Sequence, residues 1–233
     1  MSQSKENFTR ARYSSWFVLV VAVFITSLIT ANITAVKLMD LFGLILPAGV
    51  LIFPLSYITG DVLTEVYGYG QARRVIWLGF FCNFVAVMAI WAGQVLPAAS
   101  FWDGQEAYER ILGYTPRLLS ASFLAYLLGE FSNSFILAKM KIATRGRWLW
   151  LRTIGSTLVG QGLDSLVFIT LAFVGTIPLI ALVSAITTQW LAKSIYEAAV
   201  TPLTYAVVNF LKRKDRLDVY DHHTKFNPLS ISE

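Results

Sequence analysis

Residues 16–31 read WFVLVVAVFITSLITA, a run without a single charged side chain. A helix needs roughly 20 apolar residues to cross a hydrocarbon core of about 30 Å. Six stretches of the chain approach or exceed that length, namely residues 16–37, 44–66, 75–96, 118–138, 153–174 and 178–211. The sequence therefore predicts an all-α polytopic membrane protein with about six transmembrane helices.

The composition supports the same fold class. Hydrophobic residues make up 56% of the 233-residue chain and charged residues 14%, whereas soluble domains carry about 25% charged residues. No small-residue cleavage site follows the first stretch, so we expect it to be retained as a helix rather than removed as a signal peptide. The predicted organisation is a cytoplasmic segment over 1–15, a transmembrane transport domain over 16–211 and a basic cytoplasmic tail over 212–233.

The lysines and arginines predict the orientation, because cytoplasmic loops are enriched in both. Fifteen of the 19 basic residues fall on one side of a six-span arrangement: Lys5, Arg10, Arg12, Arg73, Arg74, Lys139, Lys141, Arg145, Arg147, Arg152, Lys212, Arg213, Lys214, Arg216 and Lys225. Only Lys37, Arg110 and Arg117 fall on the other side, and Lys193 lies inside the last span. We therefore expect both termini in the cytoplasm. The net charge of +5 is then a topology signal, so no nucleic-acid partner is expected.

Two spans are predicted to be irregular. The second contains Pro47, Pro54 and Gly60, and proline and glycine weaken or break helices. In transporters, broken membrane helices line the substrate cavity. The last stretch would be about 50 Å long as one helix, and Pro202 interrupts it, so we expect a long, tilted or broken helix. The outer connection, residues 97–117, reads as an amphipathic interfacial segment.

Charged residues near the middle of three spans indicate a central site. A charge at the bilayer centre costs about 2.5–3.5 kcal/mol on insertion scales. Glu130, Asp164, Lys193 and Glu197 fall at similar depth, so we expect them to face one another or a wet cavity. One lysine neutralises at most one carboxylate. The surplus negative charge favours a cationic or donor-rich ligand, or a carboxyl group that holds a proton.

Further polar residues extend this candidate site. Asp61 and Glu65 lie four residues apart and hence on one helix face, and Asn83 lies within the third span. Structural roles remain open: a Lys193–Glu197 salt bridge, a pair with Asp164, helix-end charges on the second span, or interhelical amide contacts. The candidate substrate-binding residues are Asp61, Glu65, Glu130, Asn133, Gln161, Asp164, Lys193, Glu197 and Asn32.

Several blocks of sequence resemble one transporter family. They read TANITAVK at 30–37, DVLTEVYG at 61–68, GEFSNS at 129–134 followed by Lys139, RTIGST at 152–157 and GQGLDS at 160–165. Together they are similar to motifs of the queuosine precursor transporter family, also described as vitamin uptake transporters. The resemblance runs from about residue 13 to 211.

The resemblance implies uptake of 7-cyano-7-deazaguanine or 7-aminomethyl-7-deazaguanine across the bacterial inner membrane, as salvage for queuosine synthesis in tRNA. A guanine-like edge presents two adjacent donors, which a carboxylate accepts in a bidentate manner. We expect Glu130 or Asp164 to bind this edge, with Glu65 or Glu197 as a second acid. Candidate donors to the 6-oxo group are Gln161, Asn133 and Lys193, and candidate stacking rings are Tyr57, Phe53, Trp190 and Tyr196.

Other functions find less support. The chain contains neither His-Glu-x-x-His nor Gly-x-Ser-x-Gly, and both histidines lie in the tail, so we expect neither an enzyme nor a cofactor. The alternative is a substrate-binding membrane subunit of an ATP-driven vitamin or nucleobase importer, which would need a separate ATPase. A homo-oligomer is also left open, because Gly155, Gly160 and Gly162 can pack helices within one chain or between two. The preferred base and the source of energy are not determined by the sequence.

Overall fold

The chain forms seven helices and one small hairpin in a computed structural model that describes residues 14–41, 44–113 and 116–230. The helices are α1 Ser15–Thr34, α2 Phe53–Tyr67, α3 Tyr69–Val95, α4 Gln105–Leu112, α5 Pro116–Ala143, α6 Leu149–Phe173 and α7 Leu179–Asp215. Five helical segments are long and apolar enough to cross a membrane: α1, α3, α6, α7 and the segment that contains α5. The predicted helical, polytopic membrane protein is thus confirmed.

A hairpin precedes the second helix. Strands β1 (Leu38–Leu41) and β2 (Leu44–Pro47) pair antiparallel, and a 3₁₀ turn over Ala48–Leu51 leads into α2. The predicted span over 44–66 therefore needs correction, since its first four residues form a strand. Proline in the first turn of α2 is compatible with a helix, because the N–H groups of that turn have no helical acceptor. The irregular backbone lies before this helix rather than inside it.

The 3₁₀ turn and α2 together nevertheless run along most of the length of α1. A Cβ atom on Gly49 would lie 2.6 Å from the Ala31 carbonyl oxygen, so the backbones touch near the end of α1. At the opposite end, the rings of Phe17 and Tyr67 are 4.9 Å apart between centroids. The segment 48–67 thus runs antiparallel to α1 and provides the short second crossing of the bundle.

One end of the bundle, hereafter the basic end, gathers the start of α1, the α2–α3 junction, the α5–α6 turn and the end of α7. The Asp215 carboxylate accepts hydrogen bonds from Ser14 at 2.5 Å and from Tyr67 at 2.6 Å. Arg152 of α6 reaches the Arg147 carbonyl across the α5–α6 turn at 2.6 Å. The described basic residues predicted for the cytoplasmic face are therefore concentrated at a single end, while Lys5, Arg10 and Arg12 lie outside the described residues.

The last helix is continuous. It contains Pro202 and spans 37 residues, about 55 Å at 1.5 Å per residue. The predicted long final helix is present, and it passes the predicted domain boundary at 211 by four residues.

At the opposite end of the bundle from the chain terminus, α4 lies against α3 and its Tyr108 hydroxyl donates to the Ile90 carbonyl at 3.0 Å. Tyr114, part of the same predicted interfacial segment, lies outside the described residues.

The residues after α7 fold back across the basic end, and we call residues 216–230 the C-terminal strap. The Asp221 carboxylate accepts the Tyr69 N–H at 3.0 Å, and the buried Arg73 guanidinium donates to the carbonyls of Lys225 and Asn227 at 2.8 and 3.0 Å. Gly68, at φ +84°, is needed because a Cβ there would lie 2.7 Å from Val219 Cγ1. The predicted basic tail is therefore packed against the bundle.

Candidate functional site

Two glycines bring α5 and α6 into backbone contact at the middle of the bundle. A Cβ atom on Gly160 would lie 2.7 Å from the Asn133 Cβ and 2.9 Å from the Gly129 carbonyl oxygen. A Cβ on Gly129 would lie 2.9 Å from the Asp164 Cβ. Small residues permit such close packing of membrane helices. The polar side chains of the two helices are consequently placed side by side.

Two further glycines of α6 also pack against side chains of the same chain. Gly162 lies against the indole ring of Trp190 on α7, and Gly155 lies against Met140 on α5. Together with Gly160, these glycines shape helix contacts inside one chain. Their positions therefore give no support to a homo-oligomer.

Lysine 193 joins α7 to this group. It forms an ion pair with Asp164, and its Nζ lies 5.6 Å from the centroid of the Phe53 ring. The Tyr57 hydroxyl is a further side-chain partner of Lys193, and the rings of Phe53 and Tyr57 stack at 7° between planes. Of the two pairings considered for Lys193, the structure contains the one with Asp164. Both side chains stay partly exposed, at 16% and 20%.

Three more acidic side chains lie next to this pair. The Asp61 Oδ1 atom accepts a hydrogen bond from Asn133 Nδ2 at 2.8 Å, and Glu130 lies against Gly60 on α2. Glu130 interacts electrostatically with Asp164, Lys193 and Glu197, and Asp61 with Glu197 and Glu130. Together with Gln161, which lies one helical turn before Asp164 on α6, we call this group the central cluster: Tyr57, Asp61, Glu130, Asn133, Gln161, Asp164, Lys193 and Glu197.

The central cluster is rich in hydrogen-bond acceptors and poor in donors. It contains four carboxyl groups and one ammonium group. Four of its buried side chains carry oxygen atoms without a hydrogen-bond partner among the described residues: Asp61 Oδ2, Asn133 Oδ1, Gln161 Oε1 and both carboxyl oxygens of Glu197. A buried polar atom without a partner costs about 1–3 kcal/mol. The arrangement favours a ligand that brings N–H or O–H groups, or protons.

Glu65 lies elsewhere, one helical turn further along α2 toward the basic end. Its Oε1 atom accepts from Arg152 Nη2 and Lys212 Nζ, each at 2.7 Å, and lies 3.7 Å from Lys141 Nζ. Lys141 also donates to the Glu65 carbonyl at 2.5 Å and to Asp218 of the strap at 2.6 Å. We call these five residues the basic-end network.

The basic-end network was missed by sequence reasoning. Lys141, Arg152 and Lys212 were interpreted only as markers of orientation. The available signal was Glu65 itself, an acid placed at the depth where the lysines and arginines accumulate. Because Glu65 is fully buried, it needs cations nearby, and the structure places it in this network rather than in the central cluster.

The strap contributes one titratable group, Asp218, to this network. Its burial opposes ionisation, but the hydrogen bonds from Lys141 and Lys212 outweigh that effect and lower its pKa below the ordinary value. A lowered pKa stabilises the fold above the ordinary pKa of about 3.9, and the contribution is lost as the pH falls through the folded-state value. The docked strap should therefore loosen in acid.

Replacement of Asp218 by Asn should lower the unfolding temperature in detergent at neutral pH. Because the side chain is 44% exposed, we expect about 1 kcal/mol or less, or roughly 2–4 °C. The difference between variant and wild type should narrow as the buffer is moved from about pH 6 to pH 3. A difference that stays constant over that range would contradict the assigned role of this ion pair.

Asn32 also lies outside the central cluster. Its Nδ2 atom donates to Asn83 Oδ1 at 3.2 Å. Both amides line a mainly apolar cavity of about 220 Å³ between α1, α3, α5 and α6, together with Phe123 and Phe168. Asn32 and Asn83 thus form the interhelical amide contact that the sequence left open as a structural role.

Comparison with known proteins identifies relatives over most of the chain. Residues 47–207 match the family model described as "Putative vitamin uptake transporter". A Bacillus subtilis protein named probable queuosine precursor transporter is 30% identical, over 81% of this chain and 82% of its own. The Escherichia coli queuosine precursor transporter is 28% identical, over 70% of each chain. No solved structure matches the chain.

These relatives are transporters, which agrees with the expectation that the chain is not an enzyme. The comparisons give no support to the alternative of a binding subunit of an ATP-driven importer. The matched region contains α2 to α6 and most of α7. All residues of the central cluster lie inside it.

Proposed function

Because the chain belongs to the vitamin uptake transporter family, we propose that it carries queuosine precursors across the bacterial inner membrane, with both termini in the cytoplasm. The substrates would be 7-cyano-7-deazaguanine and 7-aminomethyl-7-deazaguanine. The observation that carries this proposal is the central cluster, with its four carboxyl groups, one ammonium group and unpaired acceptor oxygens. Such a site matches a small planar base with several N–H donors.

We assign the base edge to Glu130. Asp164 is already paired with Lys193, whereas no ion pair of Glu130 within 4.0 Å occurs among the described residues. A carboxylate accepts the adjacent N1–H and amino groups of a guanine-like edge in a bidentate manner. Lys193 lies near enough to interact with Glu130 and would donate to the 6-oxo group. The Gln161 amide is a second donor.

The ring of the substrate would stack beside the aromatic pair of α2. Phe53 and Tyr57 are parallel, with centroids 6.0 Å apart, and Lys193 lies close to both. Planar bases stack favourably on aromatic side chains, at about 1–3 kcal/mol per base. The aminomethyl form carries a positive charge, which the surplus of carboxyl groups would offset.

We infer that the substrate approaches from the end opposite the basic end. Asp164 and Lys193 retain partial exposure, whereas Glu65, Lys141 and Arg152 are at most 1% exposed. The basic-end network and the strap close the bundle behind the cluster. Release on that side would require these ion pairs to separate, as expected for alternating access.

Uptake of radiolabelled 7-cyano-7-deazaguanine into proteoliposomes tests the proposal. Purified protein without ATP or other subunits should admit the base, with unlabelled substrate but not adenine as a competitor. Glu130→Gln should weaken binding by roughly 10- to 100-fold, because a charge-assisted pair of hydrogen bonds is worth about 1.5–3 kcal/mol. The measurement is the concentration dependence of initial uptake rates.

The matched control is Glu106→Gln, which removes an exposed acid of α4 that pairs with Arg110. It should transport as the wild type does. Unchanged uptake by Glu130→Gln would refute the assignment of the base edge. Uptake that appears only after an ATPase is added would instead favour the ATP-driven subunit.

A further inference from the structure

Two buried acids of the central cluster have no assigned substrate contact in the binding scheme above. Asp61 on α2 is 1% exposed and Glu197 on α7 is fully buried. Asp61 has one hydrogen-bond donor, from Asn133. Its second oxygen and both oxygens of Glu197 have no donor among the described residues. Two buried acids from different helices therefore have a single hydrogen-bond donor between them among the described residues.

The neighbouring charges do not compensate this pair. The charged neighbours that interact with Asp61 are Glu197, Glu130 and Glu65, which are all acids. The nearby cations have other partners: Lys193 is bound to Asp164, and Arg152 and Lys212 are bound to Glu65. No ion pair of Asp61 or Glu197 occurs in the described part of the chain.

Two ionised carboxylates in such a place would be costly. The effective penalty for burying an ion without a partner is several kcal/mol, and proximity of two like charges adds to it. A proton shared by the pair removes most of that cost. A metal ion is less suitable, because the described residues contain no group of three or more acidic, cysteine or histidine side chains arranged to hold one.

We propose that the Asp61–Glu197 pair is the proton-coupling site of this transporter and carries one proton inward with each molecule of neutral substrate. This proposal rests on the proposed function. The proton enters from the outer side, is held on a carboxyl oxygen of the pair, and is released to the cytoplasm after the basic end opens. No bond other than the O–H bond forms or breaks.

The geometry links the proton to the substrate through Glu130. This residue interacts electrostatically with Glu197 and with Asp61. A proton on the pair removes a negative charge beside Glu130, so Glu130 is more readily kept ionised and can accept both donors of the base. Because such coupling is reciprocal, bound substrate also favours protonation of the pair. Proton and neutral base then bind together and cross together.

The steady-state accumulation of 7-cyano-7-deazaguanine in proteoliposomes provides the test. With an outside pH about one unit below the inside and the membrane potential clamped to zero, one proton per substrate gives about a tenfold accumulation. Wild type and Glu106→Gln should reach this ratio. Asp61→Asn and Glu197→Gln should equilibrate at a ratio of one. For a variant that still shows carrier-mediated entry of the base, this ratio does not depend on how much of the protein is correctly folded.

A second measurement requires no variant. Addition of substrate to weakly buffered vesicles of the wild type should make the external medium more alkaline, in proportion to substrate entry. Accumulation that follows a Na⁺ gradient but not a pH gradient would overturn the proton assignment. Entry that stops at a ratio of one under a pH gradient would overturn coupling while the proposed function stands. No entry under any gradient would overturn the proposed function itself.

Discussion

Glu65→Gln is expected to destabilise the protein by about 3–5 kcal/mol, because it removes the shared acid from three basic side chains. Glu65 is fully buried, and Arg152 and Lys141 are 1% exposed. The amide keeps the shape of the side chain but no longer compensates the buried cations. We expect the unfolding temperature in detergent to fall on the order of 10 °C, as measured by thermal unfolding.

Two further variants make this result specific. Glu106→Gln breaks an ion pair whose side chains are 83% and 75% exposed, and it should change stability by no more than about 0.5 kcal/mol. Arg152→Met combined with Glu65→Gln should recover part of the loss, because an apolar side chain replaces the uncompensated guanidinium. A Glu65→Gln protein that unfolds within about 1 kcal/mol of the wild type would show that the network does not hold the basic end.

Gly160→Ala should have the next largest effect, on both stability and transport. The added methyl group meets Asn133 and the Gly129 carbonyl at less than 3.0 Å, so α5 and α6 must move apart. Overpacking of this kind costs about 1–3 kcal/mol. Because Asn133 and Asp164 are positioned by this contact, we also expect initial uptake rates to fall at least tenfold.

Gly70→Ala is the matched control for that substitution. It lies in α3, and a Cβ there meets nothing within 4 Å. Alanine favours a helix by about 1 kcal/mol over glycine, so Gly70→Ala should be neutral or slightly stabilising and should transport normally. If Gly160→Ala proved as stable and active as Gly70→Ala, the close contact of α5 and α6 would not be what organises the site.

Hydropathy was sufficient to locate most of the bundle. Each long helix contains the central part of one span predicted from hydropathy. The ends were less accurate: α3 begins at Tyr69 rather than 75, and α5 continues to Ala143 rather than 138. Both extensions contain basic residues, Arg73 and Lys141, which are buried by the strap and by Glu65. Long-range partners of this kind are invisible to a window of neighbouring residues.

The hairpin before α2 could not be predicted from the same signal. Short apolar runs are compatible with both strand and helix. Residues 44–47 form a strand because they pair with residues 38–41, and hydropathy does not report that pairing. Gly49 adds a second condition, since its backbone must fit against Ala31 of α1. That contact is a property of the packed bundle.

The site shows a similar division. Position within the spans indicated that Glu130, Asp164, Lys193 and Glu197 share a depth, and the structure brings them together. Depth does not determine how each helix is rotated about its axis. The rotation decides that Lys193 pairs with Asp164 instead of Glu197, and that Glu65 faces the basic-end network. Substrate contacts of these residues remain predictions.

The C-terminal strap has a consequence for biogenesis. Its residues are synthesised after all the helices, yet they supply the acceptors for Arg73 and one of the acids for Lys141. During synthesis, the helices therefore enter the membrane with these buried cations incompletely paired. A chain that lacked the strap would leave Arg73 without these two carbonyl acceptors and Lys141 without the Asp218 carboxylate.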